Sequence, residues 1–271
     1  MSSPAPSSSA TLAKHGRRLM AFLRVNGYSN PTPADAGIAL KVLTLPHKLW
    51  RAASVLIGIS LDRRYDRRHH VSTCGAILLD QLDIDAPSVE FGELYDSIPE
   101  RTFHHLIGSL PIERFEDFTF IDYGSGKGRV LFLASCHPFR RIIGVEFSEQ
   151  LHQCALENLQ TFVDPDQRCQ ALESHLGDAC DFELPDAPLV LFFFTPFHGE
   201  TLSKVLKRIV DSHEKSPRPI FVIWMTDPET HPTPPELADS LGGLGETLRP
   251  KPPFDWGRRY PLTTEVFALK G

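Results

Sequence analysis

The sequence predicts a doubly wound α/β fold, and three observations lead there. The first is the stretch Phe118 to Arg129, F-T-F-I-D-Y-G-S-G-K-G-R. An apolar run ends in Asp122 and Tyr123, a turn carrying Gly124, Gly126 and Gly128 follows, and Val130 to Ala134 can continue as a helix. Strand, glycine turn and helix in that order open a nucleotide-binding α/β unit. The second is the alternation of short apolar segments with helix-period segments from there onward. The third is Leu189 to Phe194, apolar at every position. A segment apolar on both faces belongs at the centre of a parallel sheet covered by helices.

Size and charge bound the reading. A chain of 271 residues suits one large domain, or one domain with a smaller appendage. The net charge of −6 gives no general attraction to nucleic acid or an anionic membrane. Cys74, Cys136, Cys154, Cys169 and Cys180 are scattered without a C-x-x-C pair. That pattern predicts free thiols in a reducing, cytoplasmic setting and no metal site.

From the N-terminus, residues 1–15 read as a disordered tail, because M-S-S-P-A-P-S-S-S-A is rich in Ser and Pro and poor in apolar residues. No apolar core of a secretory signal follows. Residues 16–90 read as a helical extension. Ile38 to Ile59 is fairly apolar, but Lys41, Pro46, His47, Lys48 and Arg51 interrupt it, so it is not a membrane span. Residues 62 to 70, D-R-R-Y-D-R-R-H-H, hold four arginines and two histidines. They read as a solvated helix face, with Asp62 and Asp66 pairing with arginines three or four residues away. The competing reading is a phosphate or nucleic-acid patch. Residues 91–271 read as the main domain. Tyr95 to Pro99 is a loop, and Arg101 to Leu110 a helix closed by Pro111.

The glycine turn then discriminates between ligands. A dinucleotide site wants G-x-G-x-x-G. Here the spacing is G-x-G-x-G, and Asp122 stands two residues before the first glycine. A carboxylate there is a poor neighbour for a pyrophosphate and suits a ligand carrying an amine and a sulfonium. A P-loop is excluded, because Lys127 is followed by Gly128 rather than Ser or Thr. Glycine at these positions permits positive φ and leaves no Cβ between backbone and ligand.

The next strand is Arg141 to Phe147, R-I-I-G-V-E-F, with Ser148 capping a helix from Glu149 to Phe162. Glu146 lies 22 residues after Gly124. An acid about 20 residues beyond such a turn is placed to accept hydrogen bonds from ribose hydroxyls. A third strand falls within Gln170 to Leu176, followed by Gly177-Asp178-Ala179. The fourth, Leu189 to Phe194, ends in Thr195-Pro196-Phe197 and leads to a helix from Glu200 to Glu214. Arg218 to Met225 is a fifth strand, and Pro217 and Pro219 at its start are tolerable there. Residues 233 to 241 read as a helix. Glu246 to Arg249 and Thr263 to Leu269 read as the last two strands, around a Pro-rich loop.

The pattern D-x-G-x-G-x-G at Asp122 to Gly128 resembles motif I of class I S-adenosylmethionine-dependent methyltransferases. The resemblance covers about residues 90 to 271. It implies a seven-stranded, mostly parallel sheet with an antiparallel last strand, in the order 3-2-1-4-5-7-6, with a helical cap ahead of it. It implies S-adenosyl-L-methionine as cofactor, held by Tyr95, Asp122, Gly124, Ser125, Gly126, Gly128, Glu146 and Asp178. Asp178, in G-D-A-x-x-F-x-L-P, resembles the acid that contacts the adenine amino group. Tyr95, Ser97 and Pro99 resemble the Tyr-x-Pro-Ser/Thr loop of the non-SET protein-lysine type, which folds over the cofactor. Thr195, Pro196 and Phe197 match the segment beside the transferred methyl, with Thr195 where the family has Asn or Asp.

The resemblance therefore implies methyl transfer to a nitrogen such as a protein lysine. Phe193, Phe197, Trp256 and Tyr260 would wall an apolar channel for the amine. RNA or small-molecule nitrogens remain open as acceptors, as does an oxygen activated by a base such as His198. Two other readings stay open: a NAD-binding oxidoreductase, and a non-catalytic scaffold on the same fold.

Overall fold

The computed structural model describes residues 57–74, 98–226, 231–251 and 262–271. The loop residues Tyr95 and Ser97, and the aromatic residues Trp256 and Tyr260, lie outside that set. The described residues begin in a helix, α1, at residues 57–69. Helix α2 is Glu100–Gly108, and a short 3-10 turn at Phe115–Asp117 leads into strand β1, Thr119–Tyr123. Then come α3 (Arg129–Ser135), β2 (Arg141–Glu146), α4 (Glu149–Thr161), β3 (Leu172–Leu176) and β4 (Leu189–Phe194). The chain continues through α5 (Gly199–Lys215), β5 (Ile220–Thr226), α6 (Pro235–Leu241), β6 (Gly245–Leu248) and β7 (Thr263–Leu269).

The seven strands form one sheet in the order β3-β2-β1-β4-β5-β7-β6. Pairing is parallel from β3 through β5, and β7 runs antiparallel to both of its neighbours. This is the doubly wound, mostly parallel sheet with an antiparallel last strand that the sequence and its resemblance predict. Strand order reverses between β1 and β4, where the crossovers part to opposite sides. In such sheets a crevice opens at the carboxyl ends of these two strands.

Side chains alternate across a strand, and here the alternation feeds two apolar layers. Phe120, Val190, Phe192, Phe221, Ile223 and Val266 pack on one face with Phe103 and Ile107 of α2 and Leu131 of α3. Ile121, Tyr123, Leu191, Phe193, Val222 and Trp224 pack on the other face with Leu202, Val205, Leu206 and Ile209 of α5. All residues of β1 and β5 are buried, whereas β3 and β6, at the two edges, are half exposed. Burial of the central strands fixes their register. A slip of one residue would turn either apolar set toward the wrong layer.

The stretch at 62–70 differs from the expected solvated face. Tyr65, Asp66 and His69 are buried. Arg129 of α3, 3% exposed, donates to Asp62 Oδ1 at 3.0 Å and to Thr73 Oγ1 at 3.2 Å. Its guanidinium also lies 3.6 Å from Asp66 Oδ1 and 3.7 Å from the centre of the Tyr65 ring. Asp66 further accepts from the backbone N–H groups of Thr73 and Cys74, each at 2.8 Å. The acids of this stretch thus turn inward to an arginine more than sixty residues away, a partner that local spacing does not reveal. Among the described residues, no helix is long and apolar enough to cross a membrane.

Candidate cofactor and active site

Three glycines form the turn after β1, at φ of +76° (Gly124), +54° (Gly126) and +87° (Gly128). Non-glycine residues pay steric energy for this conformation. Gly124 has a second reason to lack a side chain. A Cβ there would sit 2.6 Å from Pro196 Cβ, so the glycine turn and the Thr195-Pro196-Phe197 segment meet across the switch point. The turn is tied to β2 as well. Gly124 and Ser125 donate their N–H groups to the carbonyl of Val145, at 2.9 and 3.1 Å.

Beneath the turn lie two buried carboxylates, Asp122 and Glu146. Glu146 is satisfied by the fold itself. Its Oε2 accepts from Gly126 N at 2.8 Å and its Oε1 from Ser148 N at 2.8 Å. It therefore braces the glycine turn and starts α4, beyond the ribose role read from its spacing. Burial still raises its pKa above the usual 4.5, against the lowering effect of the backbone donors at Ser148, Gly126 and Phe147. Asp122 differs. Its Oδ2 is buried with no hydrogen-bond partner. Burial, and then the nearby Glu146 charge, push its pKa well above the usual 3.8. A buried carboxyl oxygen without a partner is costly and calls for an explanation.

Ser125 is also buried, with an unpartnered hydroxyl lying against Gly144. A Cβ on Gly144 would come within 2.6 Å of that oxygen, so the glycine in β2 lets the turn sit down on the sheet.

A cleft with about 360 Å³ of open space lies at these strand ends. Its lining is Gly124 after β1, Val145 and Phe147 around the end of β2, Gly177 to Ala179 after β3, and Pro196, Phe197 and Thr201 after β4. The lining is mostly apolar, as that of small-molecule sites is. Among the residues expected from sequence, Gly124, Asp178, Pro196 and Phe197 meet in this cleft. Asp122, Ser125, Gly126, Gly128 and Glu146 build the turn next to it. Asp178 Oδ1 accepts from Cys180 N at 2.8 Å, which holds the loop after β3 in a tight turn. Thr195 takes the left-handed region at φ +43°, rare for a β-branched residue, and so turns the chain sharply out of β4.

Phe193, expected as a channel wall, is instead fully buried. It stacks on Tyr123 at 4.7 Å and 6°, and on Trp224 at 5.8 Å. Phe197 stands edge-on to Phe193 at 6.0 Å. The core aromatics thus hold Phe197 in place, and Phe197 faces the cleft. His198 is exposed at the N-cap of α5. Sequence reasoning missed Val145, Phe147, Gly177, Ala179 and Thr201. Phe147 and Ala179 each directly follow a predicted acid, and that adjacency was the available signal. Among the described residues no group of His, Cys, Asp and Glu is placed to hold a metal.

No protein-family model matches this chain, and no curated protein matches it. Some solved structures are similar to it in part. A methyltransferase domain of a bacterial Hen1 protein matches at 15% identity and TM-score 0.47, over 64% of this chain and 98% of its own. A human methyltransferase 10 domain containing protein matches at 15% identity and TM-score 0.47, over 81% of this chain and 97% of its own. An S-adenosylmethionine-dependent methyltransferase of Methanosarcina mazei matches at 13% identity and TM-score 0.44, over 65% of this chain and 99% of its own.

Proposed function

We propose that this chain is an S-adenosylmethionine-dependent methyltransferase with a nitrogen acceptor, the amine of a protein lysine being the first candidate. The observation that carries the proposal is the end of β1. A buried carboxylate, Asp122, has an unpartnered oxygen there, beside a glycine turn and an apolar cleft at the switch point. A ligand with a cationic amine suits that carboxylate, since an opposite charge restores the ionised form that burial disfavours. A pyrophosphate would add negative charge next to Asp122 and Glu146, which weighs against the NAD alternative. Thiols at all five cysteines suit a cytoplasmic setting.

In this reading Asp122 and the backbone of the glycine turn hold the amino-acid end of the cofactor. Glu146 keeps the turn in shape, and Asp178 offers its carboxylate to the adenine amine. Phe147 and Ala179 give the flat base apolar walls. Bound there, the cofactor supplies an electrophilic methyl on a sulfonium. The rest falls to positioning and exclusion of water. Pro196 and Phe197 are the residues of this chain closest to that task. A lysine must enter neutral, which from a free pKa near 10.4 costs about 4.6 kcal/mol at pH 7. The apolar face of Phe197 lowers that cost by disfavouring the ammonium.

The test is thermal stabilisation followed by product analysis. S-adenosylhomocysteine at about 100 times its dissociation constant should stabilise the fold by about 2.7 kcal/mol. Stabilisation by NAD with none by S-adenosylhomocysteine would sink the proposal. Binding without methyl transfer to any acceptor in a labelled-methyl assay would leave a scaffold. Methyl esters or ethers, or turnover lost with His198→Ala but kept with Phe197→Ala, would contradict the nitrogen acceptor.

A further inference from the structure

We propose that the outer face of α1 binds the phosphate backbone of a nucleic-acid strand. This goes beyond the methyl-transfer reading and does not depend on it. The argument starts from where the acids of this helix went. Asp62 and Asp66 are the carboxylates that could neutralise the arginines of the R-R-Y-D-R-R stretch. Both turn to Arg129, and Asp66 also takes hydrogen bonds from Thr73 and Cys74. Arg63, Arg64, Arg67 and Arg68 all remain exposed. Arg68 pairs with Glu100 at 2.9 Å. Arg63, Arg64 and Arg67 make no ion pair among the described residues.

The spacing makes a surface of these charges. Arg63 and Arg67 are four residues apart, as are Arg64 and Arg68, so the guanidinium groups form two adjacent rows along one side of the helix. Like charges at that spacing destabilise a helix. Arg68 is offset by Glu100 and donates to His69 Nε2 at 2.8 Å, which leaves Arg63, Arg64 and Arg67 as the cations for a ligand. The net charge of −6 conceals this, because it averages a basic helix face over an acidic chain. All four cations are arginine rather than lysine. Their planar forks match phosphate oxygens in pairs and are more weakly hydrated than ammonium groups.

A membrane surface fits less well. An interfacial helix must bury its apolar face in lipid. In the turns that carry the arginines, Tyr65 and His69 are buried in the protein, while Ile57, Ile59 and Leu61 ahead of them are exposed, and vesicle binding separates the two readings. The helix is also rigidly placed. Arg129 directly follows Gly128, and Lys127 Nζ donates to the carbonyl of Cys74 at 3.2 Å. A strand held on α1 is therefore held in fixed relation to the glycine turn.

The experiment uses the full chain and fluorescence anisotropy, with labelled 20-nucleotide RNA and single-stranded DNA as probes, from 50 to 200 mM salt. No cofactor is added, so failure here is separate from failure of the methyl-transfer proposal. Three phosphate contacts give a slope of about −2 for log K against log salt, an affinity loss of about 20-fold over that range. Arg63→Gln/Arg64→Gln/Arg67→Gln should flatten the slope by about 2. Arg114→Gln/Arg141→Gln/Arg249→Gln removes the same charge from exposed, ion-paired arginines elsewhere and should leave the slope unchanged. Both variants change surface residues, so their melting temperatures should match the wild type. No binding at 50 mM salt, or equal slopes for the two triple variants, overturns the proposal. So does preferential binding to vesicles containing phosphatidylserine, or to polyglutamate.

Discussion

The parallel neighbours β1 and β2 each carry one carboxylate near their ends, and the two have opposite fates. Glu146 receives two backbone N–H groups at 2.8 Å, one from the glycine turn and one from the start of α4. Asp122 keeps a buried oxygen with no partner. Both pay for burial, but only one is compensated by the fold. The difference separates two roles that sequence spacing assigns alike to ligand binding. Glu146 is held by backbone donors, and Asp122 Oδ2 is not.

That comparison can be broken by mutation. The largest effect is expected for Glu146→Ala. It removes two charge-assisted hydrogen bonds, each worth about 1.5–3 kcal/mol, so unfolding in urea should show a loss of about 3 kcal/mol or more. Cofactor affinity should fall with it, because the glycine turn loses its brace. A variant as stable as wild type would reduce Glu146 to a strand-end acid.

Next in size is Gly144→Ala. Its Cβ would press on the Ser125 hydroxyl at 2.6 Å and on Leu131 at 3.0 Å. Overpacking of this kind costs about 1–3 kcal/mol, and it should lift the turn off the sheet. Denaturant midpoints read the first effect and S-adenosylhomocysteine titration the second. An affinity loss without a stability loss would mean that the turn seats independently of β2.

Asp122→Asn should invert the pattern. It removes a buried charge that the protein does not compensate, so stability should hold or rise. Ligand affinity should nevertheless drop by about tenfold or more, about 1.4 kcal/mol. Loss of both together would mean that Asp122, like Glu146, is structural.

The smallest effect is in the pH dependence. The folded pKa of Asp122 lies above its unfolded value. Between the two, the folded state holds a proton that the unfolded state has lost, so stability falls as pH rises through that window and levels off above it. Glu146 is shifted in the same direction. Urea unfolding from pH 4 to pH 8 should show the decline, and Asp122→Asn should flatten it. A rise over that range in wild type, unchanged by the variant, would contradict the assignment.

What sequence could reveal follows the same division. The central strands were legible because burial on both faces leaves apolar runs, as at Leu189 to Phe194. The edge strand β3 was only loosely bounded, because its half-exposed residues carry no such run. Gly124, Asp178, Pro196 and Phe197, which line one cleft, stand out in the sequence because turns and acids at strand ends have local signatures. The partners of Glu146 do not, since backbone N–H groups have no letter in the sequence. Arg129 was hidden for another reason. Its partners on α1 and the loop after it lie more than fifty residues away, and only the packed structure brings them together. Phe193 misled because its position two residues before Thr195 suggests the site, while the strand's alternation points it into the core.

The most direct test of the central claim is calorimetric titration of S-adenosylhomocysteine into wild-type protein and Asp122→Asn in two buffers of different ionisation heat. The pH is set between the usual value of 3.8 and the raised value of this carboxyl. The cationic amine of the ligand should draw Asp122 back to its ionised form, so wild type should release protons on binding. Asp122→Asn should bind more weakly and release fewer. Equal affinity and equal proton release in the two proteins would contradict the claim that Asp122 holds the cofactor.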